Sequence, residues 1–147
     1  MKNKSKSRFL YADFTGKPCA ACRYVMTLLF GGIGYGLIEI LWRGRTHPSM
    51  VLCGGLCFLF MHTVNAAMRK HSIFLRALIC MAGITAMEFA VGCIVNIALG
   101  MGVWDYSGMR FQLMGQICLL YSFFWYLLSV AVSFASNIAF RLTHSER

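Results

Sequence analysis

Four long apolar segments, separated by short polar links, dominate the hydrophobic pattern of the chain. They span roughly residues 24–42, 49–68, 74–100 and 113–140. About 20 apolar residues are enough for a helix to cross the bilayer core, whereas the strands of a membrane barrel have about ten residues that alternate in polarity. The pattern therefore predicts an all-α membrane protein with four transmembrane helices.

Short links between consecutive helices predict an up-down, antiparallel bundle. Of the 14 Lys and Arg residues, most lie in the N-terminal segment 1–23, in or near the link at residues 69–73, and in the tail 141–147. The others are Arg43, Arg45 and Arg110. Because basic loops stay on the cytoplasmic side of a membrane, we expect both termini inside and a location in the cytoplasmic (inner) membrane.

Composition supports a single membrane domain, residues 24–140, between a basic N-terminal segment and a short tail. The chain is 59% hydrophobic and 13% charged, whereas soluble domains carry about 25% charged residues. The net charge of +9 therefore reflects topology, and we expect no nucleic-acid partner.

Cys19 and Cys22 have C-x-x-C spacing but lack the second Cys or His pair of a zinc site, so no metal or cofactor is expected.

Polar residues at the end of the first segment repeat every four positions. Tyr35, Glu39 and Arg43 therefore share one helix face. Gly32 and Gly36 form a G-x-x-x-G motif, which lets another helix approach closely. We expect this helix to pack by its glycines and to bring Glu39 and Arg43 to the outer mouth of the bundle. A Glu39–Arg43 pair that only anchors the helix end is the alternative.

Glu88 lies near the middle of the third apolar segment. A carboxylate at that depth costs roughly 2.5–3.5 kcal/mol on insertion scales, so such residues face a bundle interior or a cavity and are candidates for function. Glu88, Gly92 and Asn96 share one helix face. His62 in the second segment is a candidate partner of Glu88, although a lone histidine more often has only a packing role.

Aromatic and acidic residues meet again in the link before the fourth segment, at Trp104, Asp105 and Tyr106. Trp and Tyr favour the membrane interface. Asp105 either forms a turn, since Asp followed by Ser-Gly is a turn signature, or meets Arg43 or Arg45 across the outer mouth. The outer half is thus predicted to be polar and aromatic, and the inner half mostly apolar.

These clusters resemble the family of small membrane proteins described as putative ABC-transporter type IV, also called CmpB-like. The motifs that carry the resemblance are Gly34–Gly44, Thr46–Met50, Glu88–Asn96, Val103–Ser107 and Gly115–Cys118. The resemblance implies a multi-pass membrane protein connected with transport. It provides no substrate and no catalytic residue to carry over.

The leading hypothesis is a transport or substrate-binding component whose site is built on intramembrane carboxylates. The candidate ligand- or ion-binding residues are Tyr35, Glu39, Arg43, His47, Glu88, Asn96, Trp104, Asp105, Tyr106 and Gln116. Four short helices enclose little volume, so within the lipid bilayer we expect a homo-oligomer or partner membrane subunits. The chain carries no nucleotide-binding motif, so ATP-driven transport would require a separate ATPase subunit.

Two other functions remain open at this point. A membrane enzyme acting on a lipid-linked substrate would use Glu39, His47 and Asp105 as acid–base groups. No set of nucleophilic or metal-binding residues has the spacing of a known catalytic motif. The sequence therefore argues more against an enzyme than for one, without deciding the point, and we assign no catalytic residue. Alternatively, the polar residues only lock the helices together in a structural or assembly protein.

Overall fold

A computed structural model describes the backbone of residues 20–145 and the side chains of residues 20–142. Its helices are α1 (Ala20–Arg43), α2 (Pro48–Ala67), α3 (Ile73–Gly92) and α4 (Leu119–Ser145). All four, with α3 extended to Ala98, are long and apolar enough to cross a membrane, so the prediction of four membrane-length helices is confirmed. The basic residues before position 20, and Cys19 of the C-x-x-C motif, lie outside the described part.

Glycines bring α1 and α2 into backbone contact. On α1, a Cβ atom at Gly32 would lie 2.7 Å from the carbonyl oxygen of Val51 on α2. On α2, a Cβ atom at Gly55 would lie 2.6 Å from the carbonyl oxygen of Leu28 on α1. Only hydrogen fits at either position, which confirms the expected role of the G-x-x-x-G motif. Gly36 also faces Val51.

The third membrane helix changes its winding near its end. A π-helical segment, Cys93–Ala98, continues α3 beyond Gly92. Segments of this kind often occur at functional sites, since they redirect side chains relative to the preceding turns. Here Asn96 is turned toward the loop at residues 99–118, and its side-chain oxygen accepts a hydrogen bond from the Val103 backbone N–H.

The fourth membrane helix begins six residues later than the apolar pattern predicts. Two short strands, β1 (Gln112–Leu113) and β2 (Ile117–Cys118), pair antiparallel just before α4. Met114 and Gly115 between them both have positive φ, 53° and 68°, as in a tight hairpin turn. The sequence 113–118 is apolar enough to extend a helix, but its backbone makes the hairpin instead.

The other helix boundaries differ from the predicted ones by a few residues. α1 begins four residues earlier than predicted, at Ala20, and α4 continues to Ser145. The N-terminus of α2 is fixed by Pro48 at its first position and by His47, whose Nδ1 accepts from the Ser49 backbone N–H at 3.3 Å. Ser72 caps α3 in the same way by accepting from Leu75 N–H.

Buried side chains repeat at intervals of four residues on the three helices that form the core. They are Cys53, Cys57, Met61 and Asn65 on α2, Arg76, Cys80, Ile84 and Glu88 on α3, and Ser129 and Ser133 on α4. This stack is polar at both ends, with Arg76 at one end and Glu88 at the other. Below, the two ends are called the Arg76 end and the cavity end.

The Arg76 end is not the apolar half that the sequence predicts. Arg76 lies in the first turn of α3 and is only 1% exposed. Its Nη1 donates to Asn65 Oδ1 at 3.1 Å and its Nη2 to Asn137 Oδ1 at 3.0 Å. Its Nε finds no partner among the described residues. A buried guanidinium held by two amide oxygens thus connects α2, α3 and α4.

Candidate functional site

A cavity of about 590 Å³ opens at the cavity end, between α1, α4 and the loop at residues 99–118. We call it the aromatic cavity, because seven of its lining residues are aromatic: Tyr35, Trp42, Trp104, Tyr106, Tyr121, Phe124 and Trp125. These include all three tryptophans of the chain. A concave, mostly apolar space with a few polar groups is the usual form of a small-molecule site.

Glu88 lies directly behind two residues of this aromatic lining. Its Oε1 accepts a hydrogen bond from the Tyr106 hydroxyl at 3.2 Å, and its Oε2 accepts one from Trp125 Nε1 at 3.0 Å. The side chain is 4% exposed. No Lys, Arg or His within the described residues forms an ion pair with it. Glu88 is therefore a buried carboxylate held only by neutral donors.

Stacked rings support these two donors. Tyr106 stacks on Tyr121 of α4, with ring centroids 4.7 Å apart, and Trp125 stacks on Tyr35 of α1 at 5.8 Å. Burial, and then the charge of Glu88, raise the pKa of Tyr106 above its ordinary value. Tyr106 thus keeps its proton and remains a donor to the carboxylate.

Glu39, the second buried carboxylate, is paired with a cation. Its Oε1 accepts from Arg43 Nη1 at 3.0 Å, and its Oε2 accepts from the Thr46 hydroxyl. Arg43 Nη2 also donates to the Val103 carbonyl at 3.1 Å, which ties α1 to the loop at residues 99–118. The predicted Glu39–Arg43 pair is confirmed. Tyr35, Glu39 and Arg43 all line the aromatic cavity, as their shared helix face predicts.

A second, smaller cavity of about 180 Å³ lies beside the first and shares Glu39 and Arg43 with it. We call it the charged cavity. Its lining residues are Glu39, Arg43, Arg45, Thr46, His47, Met101, Gly102 and Val103. The two cavities are thus joined by one ion pair.

Side-chain amides hold the loop in place above Glu88. Asn96 Nδ2 donates to Gln116 Oε1 at 2.8 Å, and Gln116 Nε2 donates to the Met114 carbonyl at 2.9 Å. The indole of Trp104, 2% exposed, donates to the Gln116 carbonyl at 2.9 Å. Gly92 leaves room for Gln116 and Trp104 against α3. Asn96 and Gln116 therefore position the loop rather than line either cavity.

Asp105 forms a turn. Its Oδ1 accepts from the Ser107 backbone N–H and its Oδ2 from the Ser107 hydroxyl, both at 2.8 Å. These bonds, the backbone one first, lower the pKa of Asp105. The turn interpretation is confirmed, and the alternative contact with Arg43 or Arg45 is not formed. Asp105 still lines the aromatic cavity at its rim.

Two other pairings considered from the sequence are not formed. His62 is exposed on α2, while the Glu88 oxygens are bound by Tyr106 and Trp125, so the His62–Glu88 pairing is wrong. The three acid–base candidates also do not share one cavity, although Glu39 lines both. Glu39 and His47 line the charged cavity, whereas Asp105 lines only the aromatic one. Within residues 20–142, no group of three or more His, Cys, Asp or Glu side chains is placed to hold a metal ion.

Two α4 residues complete the site: Tyr121, which the sequence suggests only as a further polar group near Asp105, and Trp125, which sequence reasoning missed. Trp125 donates to Glu88, and Tyr121 stacks on Tyr106. Their spacing of four residues places them on one face of α4, and this was the available signal. In an apolar helix rich in aromatic residues, however, the same spacing is equally typical of simple packing.

Comparison with known proteins gives a family. The family described as Putative ABC-transporter type IV matches residues 25–145. No curated protein and no solved structure matches the chain. Because the matched region covers most of α1, all of α2, α3 and α4, and both cavities, the chain belongs to the putative ABC-transporter type IV family of membrane proteins.

Proposed function

We propose that the protein is the membrane-embedded, substrate-binding component of a transport system, and that its aromatic cavity binds the positively charged group of an organic cation. The family description supports a link to transport. The charge and the lining of the cavity support the choice of a cation. The aromatic residues would contact the ligand, and Glu88 would attract it from behind Tyr106 and Trp125.

The proposal rests on one observation, which is that the buried side chain of Glu88 has no cation partner among the described residues. A buried carboxylate is costly unless a cation compensates its charge, and the described residues supply only the hydroxyl of Tyr106 and the indole N–H of Trp125. Glu39, by contrast, already has Arg43. Of the two buried carboxylates among the described residues, Glu39 is compensated by a cation and Glu88 is not, and a bound cation would compensate Glu88.

The aromatic lining suits a cation whose charge is shielded by alkyl groups. Cations bind over the faces of Trp and Tyr rings, with about 0.5–2 kcal/mol for each contact depending on desolvation. Hydrogen bonds polarise one another, so donation to Glu88 makes the rings of Tyr106 and Trp125 more electron-rich. A cation about 7 Å from the carboxylate also gains roughly 2 kcal/mol, at an effective dielectric constant of about 20.

Orientation and assembly are part of this proposal. With both termini in the cytoplasm, as the basic flanks predict, the cavity end faces the outside of the inner membrane. The described residues 20–142 form one small set of helices with a site at one end. Passage across the membrane would then require further copies of the chain or partner membrane and ATPase subunits.

A structural role is the second candidate, and the satisfied hydrogen bonds favour it. Glu88 has two donors, Glu39 has Arg43 and Thr46, and Asp105 has Ser107. In this alternative the carboxylates only hold the loop at residues 99–118 against the helices. Replacement of Glu88 by Gln would then leave function intact, because the Gln side chain has the same length and keeps an acceptor oxygen.

Binding measured through the three tryptophans tests the proposal. We would titrate the full-length protein, purified in a non-ionic detergent, with dodecyltrimethylammonium and with neutral dodecanol as the uncharged control. The cation should change the fluorescence saturably and the alcohol should not. Glu88→Gln should weaken binding of the cation about thirtyfold, since about 2 kcal/mol corresponds to that factor.

Matched variants keep the test interpretable. Glu39→Gln removes a carboxylate that Arg43 already neutralises, so its effect on cation affinity should be smaller than that of Glu88→Gln. Thermal unfolding of each variant shows whether the fold is intact, and Glu88→Asp serves as a second probe if Glu88→Gln does not fold. Equal binding of the cation and the alcohol, or full affinity in a folded Glu88→Gln protein, would refute the proposal.

A further inference from the structure

The two cavities carry opposite charge. The charged cavity is lined by Arg43 and Arg45 against the single carboxylate of Glu39. The aromatic cavity is lined by Glu39 and Asp105 against Arg43 alone, and has Glu88 directly behind its wall. A ligand that spans both would therefore meet positive charge at one end and negative charge at the other.

Arg45 is the cation of the charged cavity that is free to bind a ligand. Both Nη atoms of Arg43 are engaged, one with Glu39 and the other with the Val103 carbonyl. The Thr46 hydroxyl donates to Glu39, and His47 Nδ1 is engaged with Ser49. Arg45 lines the same cavity and makes no hydrogen bond or ion pair with any described residue. Its guanidinium is therefore available for an anionic group.

The aromatic cavity also has an apolar side. α1 packs along α2 but scarcely against α4, and the two helices meet at the Tyr35–Trp125 stack. Toward the cavity end from this stack, the space between them is flanked by Ile38 of α1 and Phe124 of α4, which are 58% and 47% exposed. In helices that cross a bilayer, these side chains border the lipid, so an alkyl chain can leave the cavity sideways.

We propose that the natural ligand of this site is a zwitterionic amphiphile, with an ammonium group, a phosphate group and an alkyl chain. This proposal rests on the cation-binding function proposed above. The ammonium lies in the aromatic cavity near Glu88. The phosphate lies in the charged cavity, where Arg45 donates to it, and the alkyl chain lies between α1 and α4. The substrate class is then a phospholipid-like molecule with a cationic headgroup.

Four probes test the parts of this proposal by tryptophan fluorescence on the full-length protein in non-ionic detergent. They are dodecylphosphocholine, dodecyltrimethylammonium, dodecyl phosphate and chain-free phosphocholine. We expect dodecylphosphocholine to bind about tenfold more tightly than dodecyltrimethylammonium, because a charge-assisted hydrogen bond contributes an affinity factor of that order or more. Dodecyl phosphate and chain-free phosphocholine should each bind at least tenfold more weakly than dodecylphosphocholine.

Arg45 and Arg110, two arginines at the cavity end, provide a test variant and its control. Arg45→Ala should reduce the affinity for dodecylphosphocholine to that for dodecyltrimethylammonium and leave the latter unchanged. Arg110→Ala removes another exposed arginine, which lines neither cavity, so it should retain the tenfold preference. Retention of the preference in Arg45→Ala, or its equal loss in Arg110→Ala, would overturn the assignment of the phosphate to the charged cavity.

Failure of this inference differs from failure of the proposed function. If dodecyltrimethylammonium binds in a Glu88-dependent way and dodecylphosphocholine binds no more tightly, the zwitterion is wrong and the cation site stands. If chain-free phosphocholine binds as tightly as dodecylphosphocholine, the ligand is a soluble zwitterion and the lateral placement of a chain is wrong. If neither ammonium compound binds, both proposals fail.

Discussion

Substitution of Gly32 by alanine tests the contact that fixes α1 against α2. The new Cβ atom would lie 2.7 Å from the Val51 carbonyl oxygen, so the helices must separate by about 0.7 Å to restore an ordinary 3.4 Å contact. Such overpacking typically costs 1–3 kcal/mol. The oxygen belongs to the backbone and cannot rotate away, so we place the cost at about 2 kcal/mol.

Gly34→Ala is the control, because no atom of a neighbouring element lies within 4 Å of a Cβ at that position. Both variants gain the same helix propensity, about 1 kcal/mol in water, so their difference isolates the contact. Thermal unfolding in detergent should place Gly32→Ala about 4–8 °C below Gly34→Ala, since 1 kcal/mol shifts Tm by about 2–4 °C in a chain of this size. Equal unfolding temperatures for the two variants would show that α1 and α2 are not in backbone contact at Gly32.

Two further predictions concern the buried Arg76 guanidinium and the turn at Asp105. Asn137→Leu removes one of the two acceptors of the buried Arg76 guanidinium and should lower the free energy of unfolding by about 1–3 kcal/mol. Ser136→Leu, one residue earlier on α4, is the control and should change this free energy little. Similar losses in the two variants would contradict the role of Asn137. The hydrogen bonds from Ser107 lower the pKa of Asp105, so their contribution to stability is complete above about pH 4 and is lost as the pH falls through the lowered pKa. Between pH 5 and 2 the unfolding temperature should therefore fall less steeply in Asp105→Asn than in the natural protein, and identical profiles would contradict this assignment.

The features that could be predicted from the sequence depend on neighbouring positions along one helix. Runs of apolar residues predicted the four membrane-length helices. The four-residue spacing of Tyr35, Glu39 and Arg43 predicted both their common face and the ion pair. In each case the geometry of a single helix determines the outcome, so no knowledge of distant contacts is required.

The features that escaped prediction depend on contacts between distant segments. Glu88 is bound by Tyr106 and Trp125, which lie 18 and 37 residues away, and its own sequence neighbours do not reveal them. Arg76 lies just beyond the basic link and is counted with its charges in the topology prediction, yet its long side chain turns inward to Asn65 and Asn137. A pattern of polarity records which residues are charged, but not the direction in which a flexible side chain turns.

The indole N–H resonances of the three tryptophans provide the most direct test of cation binding at Glu88. Trp125 Nε1 donates to Glu88, whereas Trp104, which also lines the aromatic cavity, donates from its Nε1 to the Gln116 carbonyl and not to the carboxylate. In ¹⁵N-labelled protein titrated with dodecyltrimethylammonium, the account predicts a saturable shift of the Trp125 resonance that exceeds the shift of Trp104. In Glu88→Gln, the shift of Trp125 should require about thirtyfold more ligand. A Trp125 resonance that stays unchanged at high ligand concentration would contradict the central claim that this cavity binds a cation beside Glu88.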